Sequence, residues 1–190
     1  MILLVSVAAG LIATLIRSWY LRRSLTFPSL RYEWLVVAAV LPQILAFQFP
    51  AVGSRLSNDL SSDILVGSQA ALFVFAWANL TVPGLGRMGL GLLMNFVVIV
   101  LNGGWMPMST ETLQRLVPNL PDGIVEPGMR LVLTKDAILQ PATIWLEELC
   151  DRFSLPGWIP YKVAFSLGDV LIALGAFYLL WSLSSLPQEK

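Results

Sequence analysis

The sequence predicts an all-α membrane protein with about five transmembrane helices and a long outer loop that contains one or two amphipathic helices. Of the 190 residues, 56% are hydrophobic and only 13% are charged, whereas soluble domains carry about 25% charged residues. The hydrophobic residues are concentrated in five segments in which apolar side chains run continuously. The strands of a membrane barrel alternate in polarity instead. Helices are therefore favoured, because they satisfy their backbone hydrogen bonds within the segment.

The five hydrophobic segments have lengths close to the roughly 20 residues, with about 17 tolerated, that a helix needs to cross a bilayer. Trp19 and Tyr20 extend the first segment into the interface, and Pro42 predicts a kink in the second segment. We expect residues 1–190 to form a single integral membrane domain. In chain order, the segments are residues 2–16, 34–49, 64–82, 85–101 and 167–183.

Basic residues set the predicted orientation. The first connecting loop carries four arginines, namely Arg17, Arg22, Arg23 and Arg31. Cytoplasmic loops are enriched in Lys and Arg, so this multi-pass chain is predicted to lie in the bacterial cytoplasmic membrane with its N-terminus outside and its C-terminus cytoplasmic. A cleaved signal peptide would carry its basic residues before the apolar run. Here they follow the run, so we expect the first helix to be retained.

Residues 102–166 are predicted to form the extracytoplasmic loop between helices 4 and 5, and two amphipathic stretches lie within it. Residues 109–117 predict a short helix that ends before Pro118. Residues 141–153 predict a stronger one, with apolar and charged side chains on opposite faces, lying on the membrane surface or over the bundle. Between them, residues 130–133 have extended character and are expected to pair with a neighbouring segment.

The composition excludes several classes of chemistry. Histidine is absent, which removes the commonest general base and metal ligand. The single cysteine, Cys150, excludes an internal disulfide and a CxxC site. A net charge of zero gives no basic footprint for nucleic acid. We therefore predict a non-catalytic protein with no metal and no cofactor, while a bound lipid, quinone or pigment stays open, because oxygen donors alone can ligate a pigment magnesium.

A Gly-x-Gly-x-x-Gly pattern is formed by Gly84, Gly86 and Gly89. A dinucleotide site needs a strand before this pattern and an acidic residue after it. Here the pattern joins two hydrophobic segments, so we interpret it as a tight turn followed by close helix packing.

Polar residues are predicted to cluster at the outer ends of helices 4 and 5. Ser166 and Asp169 form a capping-box pattern at the start of the last helix, and the alternative for Asp169 is proton or cation handling at the outer face. Asn102 and its glycines are typical of a helix C-cap, and the alternative is a backbone-lined pocket shared with Asp169. The candidate cluster comprises Asn102, Gly103, Gly104, Met106, Pro107, Ser166, Gly168 and Asp169.

Other polar residues lie within the hydrophobic segments. Side chains of this kind commonly form hydrogen bonds between membrane helices. We expect that role for Gln43, Gln69, Asn79 and Asn95.

Two short motifs carry a resemblance to a known family. They are the run from Asn102 to Pro107, Asn-Gly-Gly-Trp-Met-Pro, and the run from Ser166 to Asp169, Ser-Leu-Gly-Asp, with Leu133-Thr134-Lys135-Asp136 between them. The chain resembles a family of uncharacterised small bacterial integral membrane proteins, a domain of unknown function, with Asn-Gly-Gly-x-Met-Pro and Ser-x-Gly-Asp motifs. The resemblance implies a five-helix layout and no particular activity.

Three hypotheses for function follow. The first is an accessory or scaffold subunit of a larger bacterial membrane complex, respiratory or photosynthetic, with membrane lipids and other membrane subunits as partners. The second is a protein that binds or carries a lipid, quinone or pigment between its helices. The third is a membrane enzyme, which the lack of histidine and the scattered carboxylates disfavour. Bound partner chains would favour the first hypothesis, a tail-shaped cavity the second, and a pair of coupled carboxylates facing one cavity the third.

Overall fold

Long apolar helices dominate the computed structural model, which describes residues 2–118, 128–131, 134–139, 143–159 and 161–184. In chain order the α-helices are α1 (Ile2–Leu21), α2 (Trp34–Gln48), α3 (Pro50–Gly53), α4 (Asn58–Ala78), α5 (Leu85–Leu101), α6 (Thr110–Leu116) and α7 (Leu167–Ser182). The chain is thus mostly helical. By length and composition, α1 and α4 could each cross a membrane, and α2, α5 and α7 are apolar but shorter.

Each of the five hydrophobic segments is helical, and the predicted bounds of α5 coincide with the observed ones. The largest shift is in α4, which begins six residues before the predicted start and ends at Ala78, four residues before the predicted end. Its first turns are polar, and the Ser57 Oγ caps them by accepting a hydrogen bond from the Leu60 N–H at 3.2 Å. Pro42 lies inside α2, as expected.

The helices pack as a row, with α1 on α7, α7 on α5, α5 on α4, and α4 on α2. α1 and α7 run parallel, as two hydrogen bonds between them show. The Ser6 Oγ donates to the Ala173 carbonyl, and the Thr14 Oγ1, farther along α1, donates to the Leu180 carbonyl at 2.8 Å. The other neighbouring pairs are antiparallel. Gly84, before α5, lies beside Gly175 and Gly91 lies beside Gly168, while Gly89 lies beside Ala76 and Gly104, after α5, lies beside Ser62. The end of α4 lies near the loop before α2, because the Arg31 N–H donates to the Asn79 Oδ1.

Glycines allow α5 and α7 to approach closely. A Cβ placed on Gly91 would lie 2.4 Å from the carbonyl oxygen of Gly168, and one placed on Gly84 would lie 2.3 Å from that of Gly175. Gly84 has a φ of 93° and caps the start of α5, a backbone conformation that glycine adopts without a Cβ penalty. The interpretation of the Gly-x-Gly-x-x-Gly pattern as a turn with close packing is confirmed.

Short strands form a layer, which we call the strand layer, over one end of the helices. We call that end of the helices the strand end. β1 (Met106–Ser109) pairs in parallel with β2 (Asp136–Leu139), and β3 (Phe153–Ser154) pairs antiparallel with β4 (Ala164–Phe165). The all-α prediction did not anticipate these strands. They arise where the loop passes over the bundle, and neighbouring backbone segments there satisfy each other's hydrogen bonds.

The helix predicted over residues 109–117 is confirmed as α6, with Ser109 as its N-cap. The extended segment is confirmed at Arg130, which bridges Ala137, while residues 132 and 133 lie outside the described part.

The amphipathic helix predicted over residues 141–153 is wrong over the described residues 143–153. These form a 3-10 turn at Glu147–Leu149 followed by β3, and residues 141 and 142 are outside the described part. The helix is interrupted because Leu146 has a φ of 56° and the Asn102 side chain binds both backbone polar groups of Trp145. The spacing of apolar side chains that suggested a helix carries no information on these competing bonds.

The expectation of interhelical hydrogen bonds is confirmed for Asn95, which joins α5 to α7. Asn79 instead holds the loop before α2, because its side chain pairs with the N–H and carbonyl of Arg31 at 2.8 and 2.9 Å. The Gln43 Nε2 and Gln69 Oε1 are buried and find no partner among the described residues.

Candidate functional site

The first turn of α7 positions the carboxylate at the centre of the site. The Ser166 Oγ accepts a hydrogen bond from the Asp169 N–H at 3.1 Å, and the Asp169 Oδ2 accepts one from the Ser166 N–H at 3.3 Å. This is the predicted capping box, in which each residue satisfies a backbone donor of the other. Asp169 also lies at the positive end of the helix dipole, which stabilises its negative charge.

Asn95 of α5 contacts both members of the capping box. Its Nδ2 donates to the Asp169 Oδ1 at 2.8 Å, and its Oδ1 accepts from the Ser166 Oγ at 2.9 Å. A Cβ on Gly168 would lie 2.1 Å from the Asn95 Oδ1. The Ser-x-Gly-Asp motif is therefore explained: serine and aspartate cap the helix, and glycine leaves the space that the asparagine of α5 occupies.

Lys135 connects α7 to the loop segment that follows the 3-10 turn. Its Nζ lies 3.2 Å from the Asp151 Oδ2 and 3.4 Å from the Asp169 Oδ2. The side chain of Lys135 is 28% exposed, whereas that of Asp151 is 1% exposed. The backbone of Lys135 is fixed by β1, because the Met106 N–H donates to its carbonyl oxygen at 3.0 Å. A single ammonium group thus joins the strand layer to the helices.

A second carboxyl, Asp136, interacts directly with Asp151. Asp136 is 8% exposed. The Asp136 Oδ1 and the Asp151 Oδ1 are buried and accept no hydrogen bond from the described residues. We call Asn95, Lys135, Asp136, Asp151, Ser166 and Asp169 the Lys135 cluster.

Burial and the crowding of carboxyl groups govern the charges in the Lys135 cluster. Burial, together with repulsion from Asp151, raises the pKa of Asp136 to about 8, although Lys135 acts in the opposite direction. Burial also raises the pKa of Asp151, and attraction to Lys135 offsets part of that increase. For Lys135, burial alone would lower the pKa, but attraction to Asp151, Asp169 and Asp136 outweighs it and raises the pKa. These shifts favour the charged form of Lys135 and the protonated form of Asp136 near neutral pH.

The other predicted site residues lie near the Lys135 cluster but do not form one open pocket with it. Asn102 ends α5, and its side chain holds Trp145 by two hydrogen bonds of 3.0 Å, which fixes the segment that leads to Asp151. Gly103 and Gly104 have φ values of 74° and 85°. The Gly104 N–H donates to the Ile99 carbonyl at 2.8 Å, as expected of a helix C-cap. Met106 and Pro107 are buried in β1.

Sequence reasoning missed Lys135, Asp136 and Asp151 as site residues. The usable signal was the adjacent charged pair Lys135-Asp136 in an otherwise apolar stretch, because charged residues are rarely buried unless they are paired. Nothing local indicates Asp151 as the partner, because it lies in a different segment of the connection between α5 and α7.

Arg130 makes a second attachment between the strand layer and the helices. Its Nη1 donates to the Ser61 Oγ of α4 at 3.0 Å. Its guanidinium carbon lies 4.8 Å from the ring centre of Trp105 and 5.7 Å from that of Phe47. Burial lowers the pKa of Arg130. The contacts are those of a cation–π anchor.

The chemistry available to the Lys135 cluster is the binding of a proton and the holding together of two layers. In the part of the chain that the structure describes, no group of three or more His, Cys, Asp or Glu side chains is arranged to hold a metal ion. Lys135 occupies the position between the carboxylates, and its charge disfavours a second cation there.

Comparison with known proteins gives one family. Residues 28–181 match the family model DUF5317, described as a family of unknown function, and the matched range includes every residue of the Lys135 cluster. No curated protein and no solved structure matches the chain at a level that shows a relationship.

Proposed function

The chain belongs to the DUF5317 family, a family of unknown function, and we propose that this member is a non-catalytic accessory or scaffold subunit of a larger bacterial membrane complex. The observation that carries the proposal is the row of helices. α1 packs mainly on α7 and α2 mainly on α4, so within the described residues each edge of the row presents an apolar helix with one long helix as its main neighbour. An open row of this kind offers long apolar surfaces to partner helices and lipid.

We further propose that all five apolar helices cross the membrane. α2, α5 and α7 have 15, 17 and 16 residues. At about 1.5 Å per residue they are about 22–26 Å long, somewhat short of a hydrocarbon core of about 30 Å, and local thinning of the bilayer accommodates such a difference. The alternation of the helices supports the proposal, because the connections after α1 and α4 share one end and the strand layer lies at the other.

The proposed orientation places the strand end outside and the opposite end in the cytoplasm. Four arginines lie at that opposite end. Three are in the loop between α1 and α2 and one is in the first turn of α5, namely Arg22, Arg23, Arg31 and Arg87. An excess of Arg in short loops marks the cytoplasmic side. The N-terminus is then outside and the C-terminus inside.

The Lys135 cluster supports a structural role better than a catalytic one. The Asn95 side chain, the Ser166 hydroxyl and the Lys135 ammonium all contact other members of the cluster. A catalytic group needs a free approach for substrate within hydrogen-bond reach. These three groups contact protein atoms instead, and the Asp136 and Asp151 Oδ1 atoms, which accept no hydrogen bond from the described residues, are buried.

The alternative, a carrier of a lipid, quinone or pigment, would need a deep apolar cavity. The apolar pocket on α4 beside Phe73, Val74 and Trp77 has a volume of about 230 Å³. Ligand pockets are typically about 300–1,000 Å³, so this pocket alone does not favour the carrier.

The test is purification of the tagged, full-length protein from its native membrane in a mild detergent, followed by mass spectrometry and an absorbance spectrum. We expect integral membrane chains in fixed stoichiometry. Truncation of the exposed face of α1, by Ile12→Ala with Ile16→Ala, should reduce their recovery. The matched control is Leu174→Ala, at an exposed position of α7, which has a long helix on either side in the row. Recovery of the protein alone would contradict the proposal, and a co-purified lipid, quinone or pigment would favour the carrier.

A further inference from the structure

Two buried carboxyl oxygens that accept no hydrogen bond from the described residues are the unexplained feature of the Lys135 cluster. They are the Asp136 Oδ1 and the Asp151 Oδ1, on residues that are 8% and 1% exposed. The Lys135 Nζ contacts the Oδ2 atom of Asp151 and that of Asp169. The lysine therefore leaves these two oxygens unpartnered.

The charge balance of the cluster indicates what is missing. Three carboxyl groups, Asp136, Asp151 and Asp169, face one ammonium group. With all of them ionised, the cluster would carry two uncompensated negative charges. A buried charge without a partner takes up a proton in preference to remaining ionised.

We propose that Asp136 and Asp151 form a proton-binding site on the strand layer, in which one proton held between the two carboxyl groups keeps this layer closed over the helices. In the bound state Asp136 is the carboxylic acid and donates to the Asp151 carboxylate. On release, the proton passes to the solvent and Asp136 becomes a carboxylate.

The groups around Asp136 determine the effect of proton release. Asp151 repels the new negative charge, Asp169 does so from α7, and Lys135 attracts it. Because Lys135 is already shared between Asp151 and Asp169, the added charge on Asp136 has no cation of its own in the cluster and separates β2 from the segment that carries Asp151. Burial raises the pKa of Asp136, which favours retention of its proton at neutral pH.

Infrared difference spectroscopy of the purified, full-length protein tests the binding of the proton. We expect the carbonyl stretch of a protonated carboxylic acid at pH 6, with a downshift in D₂O, and loss of this band with a midpoint near pH 8. Asp136→Asn should abolish the band, and Asp151→Asn should move the midpoint at least one pH unit lower, because repulsion is removed. Asp59→Asn, at an exposed position of α4, is the matched control and should leave the band unchanged.

Cys150 reports whether the layer opens. It is the only cysteine, is 3% exposed and precedes Asp151. Burial and the neighbouring Asp151 raise the pKa of its thiol to about 12. Because thiol reactivity itself rises with pH, the measured quantity is the labelling rate of the wild type divided by that of Asp136→Asn at the same pH. We expect this ratio to increase at least tenfold as the infrared band disappears.

Either of two results would overturn the proposal. The first is the absence, in the wild-type protein, of a titrating carboxylic acid band between pH 6 and pH 10. The second is a labelling ratio that does not change while the band is lost. Both experiments use the isolated protein, so their outcome is independent of whether a partner complex is found.

Discussion

Removal of the Lys135 charge should be the most destabilising single change in the strand layer. Lys135→Met keeps the apolar stem of the side chain but removes the ammonium group that lies 3.2 Å from Asp151 and 3.4 Å from Asp169. Asp151 is 1% exposed, so it cannot regain solvation without opening of the layer. Breaking a buried ion pair by removing one partner costs about 3–5 kcal/mol, and we expect the free energy of unfolding at pH 7 to fall by that amount.

Reversible unfolding in mixed micelles, with a rising fraction of denaturing detergent, measures this change. The matched control is Arg115→Met, which breaks the pair of Arg115 with Glu111, whose atoms are 4.0 Å apart and whose side chains are 50% and 82% exposed. An exposed pair contributes at most about 1 kcal/mol. Lys135→Arg should retain most of the stability. If Lys135→Met cost no more than the control, the cluster would not hold the layers together.

Three further changes test other parts of the account. Gly168→Ala should cost about 1–3 kcal/mol of stability, as overpacking does, because the added Cβ would lie 2.1 Å from the Asn95 Oδ1. The control is Gly67→Ala, where nothing lies within 4 Å of an added Cβ. It should be neutral or slightly stabilising in the same assay. Ser166→Ala should cost about 1–2 kcal/mol, since it removes the N-cap of α7 and a donor to Asn95. A loss below about 0.5 kcal/mol, which is the size typical of exposed substitutions, would refute this role. The native state keeps a proton on Asp136 up to about pH 8, whereas the unfolded chain releases it above about 3.8. The free energy of unfolding should therefore decrease as pH rises from 4 to 8, by up to about 1.4 kcal/mol per pH unit, and Asp136→Asn should flatten that slope.

Local signals predicted the helices and their caps. The continuous apolar runs indicated α2, α5 and α7 to within a residue at each end, because helical hydrogen bonds stay within the segment. The capping box at Ser166 and Asp169 was equally predictable, since its two residues are three positions apart. The start of α4 was placed too late, because its first turns are polar and only the Ser57 cap reveals them.

The Lys135 cluster and the strands depend on contacts between distant parts of the chain. Asn95 and Asp169 are 74 positions apart, and Lys135 and Asp169 are 34 apart. No periodic pattern records such pairs. The helix predicted over residues 141–153 was wrong for the same reason: Asn102, 43 positions before Trp145, binds the backbone groups that a helix would have used.

The most direct test of the proposed membrane topology is to determine on which side of the membrane each end of the helices lies. In a Cys150→Ala background, single cysteines are placed at Gly157 and at Ser29. Gly157 lies between β3 and β4, and nothing lies within 4 Å of a Cβ placed there. Ser29 is exposed at the opposite end of the helices. Intact cells are then treated with a membrane-impermeant maleimide. We predict that Gly157→Cys is labelled in intact cells and Ser29→Cys only after permeabilisation. Labelling of both sites in intact cells, or of Ser29→Cys alone, would contradict a five-pass chain with its strand layer outside.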